Sequence, residues 1–400
     1  MKRQWVEELR SQFPVARKTA FFDIAYENCG ADFAREAAEQ YFLDKADIYP
    51  GLVKAGGAGK GAAIEVVADT REKLAAFLSA AGPKNITFTA NTCQAVSIAL
   101  KGLNYQPGDN IVVGDIEHVS VLMPCLQMRE QGVACKIAPS ADGLRITAGD
   151  LLNQVDEHTR VVAVSYVQSC SGYKLDLKQL VEECHRRGVL VITDAIQALG
   201  VTEVDVQDLG VDALAASGYK GMLALEGSGF LYCSDAMLEQ MTPPFSCVSA
   251  AVTVDRDTME VHCTDPLDGR KLEAGTIPFQ SIYALRAGVS RLLELGMDEV
   301  SAHVQACVQR IDQGFETLGF SVALPYDPAH ICNSVLICTE KNQEMTDFFL
   351  EHGVFFSCGK PGYVRISAAP FTTGQDIQHL LEVAQMWRES NMTGGDSSAL

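Results

Sequence analysis

The sequence predicts an α/β protein with a mostly parallel sheet, arranged as one large domain and a smaller α+β domain. Three observations carry this. Apolar, β-branched runs at 161–167 and 189–193 read as buried strands, and between them Leu177, Leu180, Val181 and Cys184 recur with helical spacing. A strand, a helix and a second strand in that order make a βαβ unit, which demands parallel strands and a right-handed crossover. The polar residues best suited to chemistry (Thr92, His118, Gln168, Asp194 and Lys220) fall just past strand ends or in nearby loops, where parallel sheets bind ligands. Finally, 400 residues with 47% hydrophobic content can bury a substantial core in two domains.

The elements follow in order. Trp5, Leu9 and Phe13 recur every four residues and predict a short amphipathic helix. A short strand is expected at 21–25 and a helix over 31–48. Residues 51–61 (GLVKAGGAGKG) read as a mobile glycine-rich loop. It is no nucleotide-binding loop, because Gly61 follows Lys60 where Ser or Thr is required and no strand precedes it. Lys60 is expected to be solvated. A helix at 65–80, strands at 85–89 and 110–114, and a helix from Thr92 through Leu100 come next. After Tyr232 the chain turns irregular, with Pro243-Pro244 and polar loops. Helices are expected at 278–295 and 298–318, strands at 334–338, 354–357 and 363–367, with a helix between the first two of these strands. Residues 390–400 have the composition of a disordered tail.

A formal net charge of −19 argues against binding to a phosphate backbone, which recruits basic faces. Thirteen cysteines lie at scattered positions with no Cys-x-x-Cys, a pattern that fits reduced thiols in a cytoplasm better than a disulfide framework or a zinc site. The first residues have no continuous apolar core of a signal peptide, and no apolar run approaches the roughly 18 residues of a membrane span.

The chemistry centres on residues 189–230. The strand at 189–193 ends on Asp194, Gln197 follows three residues later, and Lys220 comes 26 residues after Asp194 in Ser217-Gly218-Tyr219-Lys220-Gly221. Alone, such an acid is more often a helix cap and such a lysine a solvated charge. Together they meet the needs of pyridoxal phosphate (PLP): a lysine to hold the aldehyde covalently and an acid to keep the ring nitrogen protonated, so that the ring accepts electrons. The turn Ala90-Asn91-Thr92-Cys93-Gln94-Ala95 opens a helix, and free N–H groups at a helix start suit a phosphate; a plain cap at Asn91 or Thr92 would look identical.

Asp-x-x-Gln followed by Ser-Gly-x-Lys resembles the signature of the aminotransferase class V group of PLP enzymes, which includes cysteine desulfurases, selenocysteine lyase and isopenicillin N epimerase. The resemblance covers roughly residues 13–388. It implies the PLP-dependent transferase fold of type I: a large domain at 16–270 with a mostly parallel sheet of the seven-stranded type, and a small domain from 1–15 and 271–390. It implies that Lys220, His118 and Asp194 are catalytic, with His118 of the Glu117-His118 pair stacking on the cofactor ring. It assigns Thr92 and Cys93 to the phosphate turn, where Asn91 and Cys93 depart from the family's glycine and threonine. Gln197, with Gln168 or Ser169 in the family's asparagine region, faces the phenolic oxygen, and Ser217 and Tyr219 join the cofactor set. Glu273-Ala274-Gly275-Thr276 resembles a segment whose threonine reaches the phosphate of a neighbouring subunit, so Thr276 implies a homodimer with shared active sites. Arg365, before Pro370-Phe371-Thr372-Thr373, is the expected reader of the substrate carboxylate, since a guanidinium fork fits that group. No metal is expected.

The resulting expectation is a cytoplasmic PLP-dependent lyase or transferase acting on a small-molecule amino acid, with no nucleic-acid or membrane partner. Only six residues separate Cys358 from Arg365, in a loop too short for the mobile cysteine arm of the desulfurases. Elimination at Cβ, breaking a C–S or C–Se bond, is therefore preferred. Transamination or epimerisation on the same scaffold comes next, then desulfuration through Cys358; a non-catalytic binding protein of this fold is the alternative from another class.

Overall fold

The computed structural model describes residues 4–54, 62–247 and 249–393. Its centre is a seven-stranded sheet made of β1 (Ile86–Thr89), β2 (Asn110–Gly114), β3 (Ala134–Ala138), β4 (Thr159–Ser165), β5 (Leu190–Asp194), β6 (Ala213–Ser217) and β7 (Gly229–Cys233), in the spatial order β1-β7-β6-β5-β4-β2-β3. Only β7 runs against its neighbours; the other pairings from β6 to β3 are parallel. The inner strands are largely apolar on both faces because both are covered. Val112, Val162, Val164, Val191, Leu214 and Phe230 enter one buried cluster, shared with helices Ala62–Phe77, Leu177–Arg186 and Phe279–Leu295. The alternate residues Ile111, Val113, Val161, Ala163, Ile192 and Leu231 enter a second, under helices Thr92–Lys101 and Val119–Gln127. The period of two along each strand divides the core in this way.

The C-terminal part is a smaller layer. Strands Ser334–Thr339 and Gly362–Ser367 pair antiparallel, flanked by helices Met297–Thr317, Asn342–Glu351 and Gly374–Thr393. The N-terminal segment is woven into it: Ala20–Phe21 pairs parallel with Val354–Phe355, and Asp23 bridges to Ser367. Arg10 clamps Asp376 with two hydrogen bonds of 3.0 and 2.7 Å, tying the first helix, Gln4–Ser11, to the last. The helix Phe279–Leu295, just past the expected boundary at 270, lies against Asp32–Lys54 and Ala62–Phe77.

Several elements differ from expectation. The helix expected to end near 48 runs to Lys54, taking in the start of the glycine-rich stretch; the rest of that stretch, with Lys60, lies outside the described residues. The region after Tyr232 is less irregular than its prolines imply, because Ala251–Val254 and Val261–Thr264 form an antiparallel hairpin exposed on both strands. The edge strand β3 has an exposed, lysine-bearing pattern that apolar periodicity does not find. The last helix extends to Thr393, four residues into the expected tail, and the remainder lies outside the described residues. Among the described residues no helix is long and apolar enough to cross a membrane.

Candidate active site

The carboxyl ends of β1, β2, β4, β5 and β6 converge on two adjoining cavities of about 350 and 410 Å³. His118, Ser169, Gln197 and Lys220 line both. The inner cavity is also walled by Thr92, Cys93, Asp194, Ser217 and Tyr219, and the outer one by Arg365, Cys358 and Lys360.

Lys220 sits three residues past the end of β6 and is 8% exposed. Its ammonium makes no hydrogen bond or ion pair within the protein among the described residues. Burial, reinforced by the charge of Arg365, brings its pKa down to about 8, against the opposing pull of Asp194 and Asp23. Two glycines allow this placement. A Cβ at Gly200, whose φ is +82°, would stand 2.0 Å from the carbonyl oxygen of Gly221, and one at Gly221 would meet the Leu199 oxygen at 2.4 Å. The turns after Gln197 and after Lys220 therefore cross backbone to backbone, which only glycine permits.

Asp194 ends β5. Its Oδ1 accepts the Ile196 N–H at 2.9 Å and its Oδ2 the Ser120 hydroxyl at 3.1 Å. Burial raises its pKa to about 6 despite these bonds and the nearby Lys220 charge. Gln197 donates to the Ala25 carbonyl at 2.8 Å, which fixes its amide against the N-terminal segment.

The helix Thr92–Lys101 points its N-terminus at the inner cavity. Asn91 is its cap, accepting the Gln94 N–H at 2.9 Å, and Thr92 presents its N–H and hydroxyl to the Ser217 hydroxyl at 2.9 and 3.2 Å. The Cys93 N–H has no acceptor among the described residues, and its side chain is exposed in the cavity wall. His118 caps the next helix, Val119–Gln127: its Nδ1 accepts the Ser120 N–H at 3.2 Å and stands 2.8 Å from the Ser120 hydroxyl. Its pKa is lowered by burial and by the charges of Lys220 and Arg365.

Arg365 reaches the outer cavity from Gly362–Ser367. Nη1 donates to the Ser169 carbonyl, Nη2 lies 3.9 Å from Asp23, and the buried Nε has no partner. Burial lowers its pKa.

Three sequence-derived positions stand apart. Gln168 is fully buried behind the wall, donating to Glu117 at 2.8 Å, so Ser169 lines the cavities in its place, with Cys170 beside it in the outer one. Thr276 lies exposed on a turn and lines neither cavity of its own chain. Cys358, expected on a loop too short for a mobile arm, is half-buried in the outer cavity wall. Sequence reasoning missed Ser120, Glu117 and Asp23. Glu117 is buried, accepts from Ser165 and Gln168, and has its pKa pushed by burial to about 7. An acid inside the apolar run Phe21-Phe22-Asp23-Ile24-Ala25 was the available signal for Asp23.

These residues fit PLP. A buried lysine without a hydrogen bond or ion pair among the described residues, a buried carboxylate facing the same space, and a helix N-terminus with hydroxyls beside it correspond to an aldehyde, a ring nitrogen and a phosphate.

The comparisons agree with this geometry. The aminotransferase class-V family profile matches residues 43–380. A probable cysteine desulfurase of Methanothermobacter thermautotrophicus is 29% identical over 95% of this chain and 97% of its own. The apo structure of a cysteine desulfurase from Thermococcus onnurineus NA1 superimposes with a TM-score of 0.83 at 20% identity, covering 98% of this chain and 99% of that one. The cystine C-S lyase C-DES, solved with its reaction product cysteine persulfide, gives 0.80 at 22% identity, covering 93% and 99%. The fold is that of these enzymes, and the chain belongs to the aminotransferase class-V family of PLP-dependent enzymes.

Proposed function

We propose that this enzyme cleaves the Cβ–S or Cβ–Se bond of a small α-amino acid by elimination. The observation that carries the reading is that Lys220, buried and without a hydrogen bond or ion pair among the described residues, and Arg365, whose buried Nε has no hydrogen-bond partner, line the same outer cavity. The relatives that cleave carbon–sulfur bonds add support.

When bound, PLP supplies an electron-accepting ring that stabilises negative charge at the substrate Cα. Lys220 would hold the aldehyde, and its amine would take the proton from Cα; a pKa near 8 leaves a useful fraction of neutral amine at neutral pH. Asp194 would keep the proton on the ring nitrogen. Thr92, Cys93 and Ser217 would hold the phosphate at the helix N-terminus, with Thr276 supplied by a second copy in a homodimer. His118 would cover the ring, and Gln197, Ser169 and Tyr219 would complete the walls. Arg365 reads the substrate carboxylate.

A second reading is desulfuration, in which the Cys358 thiol takes the sulfur; its place in the cavity wall favours this. Against it, the preceding residue is anchored, because the Ser357 hydroxyl donates to Asp23 at 2.8 Å, so Cys358 does not ride on a free arm. Replacing the thiol separates the two. Cys358→Ser retains most of the sulfide release under elimination; loss of that activity, with a persulfide on Cys358 in the unaltered enzyme, establishes desulfuration instead.

A further inference from the structure

Asp23 is a carboxylate that the chemistry above does not use. It is 2% exposed, just past the strand Ala20–Phe21, and its backbone is locked to the strand that carries Arg365. The Ser367 N–H donates to the Phe22 carbonyl at 2.8 Å, and the Ser367 hydroxyl accepts from the Ala25 N–H at 3.0 Å. Asp23 Oδ1 accepts the Ser357 hydroxyl at 2.8 Å and lies 3.9 Å from Arg365 Nη2. Among the described residues it is the only carboxylate within ion-pair distance of Arg365.

The geometry differs from that of a structural ion pair in the same molecule. Arg71 is engaged directly at both terminal nitrogens: Nη2 meets Glu273 at 2.5 Å, and Nη1 donates to the Ile86 carbonyl. Arg365 is held by Nη1 on the Ser169 carbonyl and balanced by Asp23 at a distance, while Nε keeps its donor. A buried guanidinium without a nearby anion carries a large desolvation cost, and a long side chain loses rotamer freedom each time it is ordered. A carboxylate close enough to balance the charge, yet too far to occupy the fork, addresses both.

We propose that Asp23 is the positioning residue of the substrate-carboxylate site: with Ser357 and Ser169 it holds Arg365 extended and charge-balanced, leaving its free edge for the incoming carboxylate. The proposal rests on the reading of Arg365 as the carboxylate reader. It also ties that reader to the loop carrying Cys358 and Lys360, because Ser357 belongs to that loop. Asp23 thereby acts on the substrate through Arg365.

The test uses the PLP-loaded enzyme and two probes that differ only in the carboxylate, L-alanine and ethylamine, with dissociation constants read from the change in cofactor absorbance. Asp23→Ala weakens L-alanine at least about tenfold, as expected for loss of a preorganised charge-assisted contact, and leaves ethylamine unchanged. Asp23→Glu recovers part of the loss, Ser357→Ala gives a smaller loss of the same kind, and with a reacting substrate KM moves more than kcat. Retained ethylamine binding shows that the variant is folded and loaded. Unchanged or tighter L-alanine binding, or equal weakening of both probes, overturns the proposal. Arg365→Ala is measured alongside. If it removes the preference for L-alanine while Asp23→Ala does not, the carboxylate reading stands and the inference fails. If Arg365→Ala keeps the preference, the carboxylate reading falls, and the inference with it.

Discussion

The Ser120 hydroxyl donates to Asp194 Oδ2 at 3.1 Å, joining the helix that begins after β2 to the acid that ends β5. The same hydroxyl stands 2.8 Å from Nδ1 of His118, so one serine touches both the group assigned to the ring nitrogen and the group assigned to the ring face. Nδ1 also accepts the Ser120 N–H, so a neutral His118 carries its proton on Nε2.

Removing that hydroxyl raises the Asp194 pKa further, because a bond favouring the charged form is lost while burial remains. In its proposed role Asp194 must be ionised to keep the ring nitrogen protonated, and activity then falls as pH drops through its pKa. Ser120→Ala therefore moves the acid limb of the kcat profile to higher pH; an unmoved limb shows that the bond does not matter.

Glu117 sets a second pH dependence, this one on stability. Burial raises its pKa from 4.5 to about 7, so between these values the folded state holds a proton that the unfolded state releases. Its stabilising contribution is complete below the unfolded value and is lost as pH rises through about 7. Urea denaturation of the cofactor-free protein should show wild type gaining on Glu117→Gln as pH is lowered from 8 to 5. A gap independent of pH contradicts the assignment.

The Glu273 carboxylate meets Arg71 at 2.5 Å and accepts the Phe88 N–H at 2.9 Å, anchoring the segment that leads to Thr276 onto β1. Glu273→Ala leaves a buried charge and a buried N–H unpaired and should cost about 3–5 kcal/mol of folding stability. A loss below about 1 kcal/mol in denaturant titration would mean that water or another group takes over.

Lys220→Ala should slow turnover by at least about 10²–10⁴-fold, the usual contribution of a general acid–base group. Borohydride treatment of wild type followed by peptide mass spectrometry should place the reduced cofactor on Lys220. Label on another lysine rejects the assignment.

What the sequence made legible was whatever local pattern encodes. β5 announces itself because a strand buried on both faces is continuously apolar, and Asp194 and Lys220 lie next to such strands. β3 did not, because an edge strand half in solvent carries Lys136 and Cys135 in place of an apolar run. Ser120 and Asp23 escaped for another reason. Each acts through a partner distant in the chain, 74 residues away for Ser120 and 334 for Asp23 with Ser357, and no periodicity records such contacts. Cys358 shows the limit of arguing reach from loop length: its loop is as short as expected, yet the strand that follows carries it into the cavity wall.

Elimination and sulfur transfer differ in the fate of the substrate's carbon and nitrogen, so the products of L-cysteine turnover by the PLP-loaded enzyme decide between them. The account predicts sulfide, pyruvate and ammonia in equal amounts, with little alanine. Alanine equal to the sulfur released, with no ammonia, would contradict it.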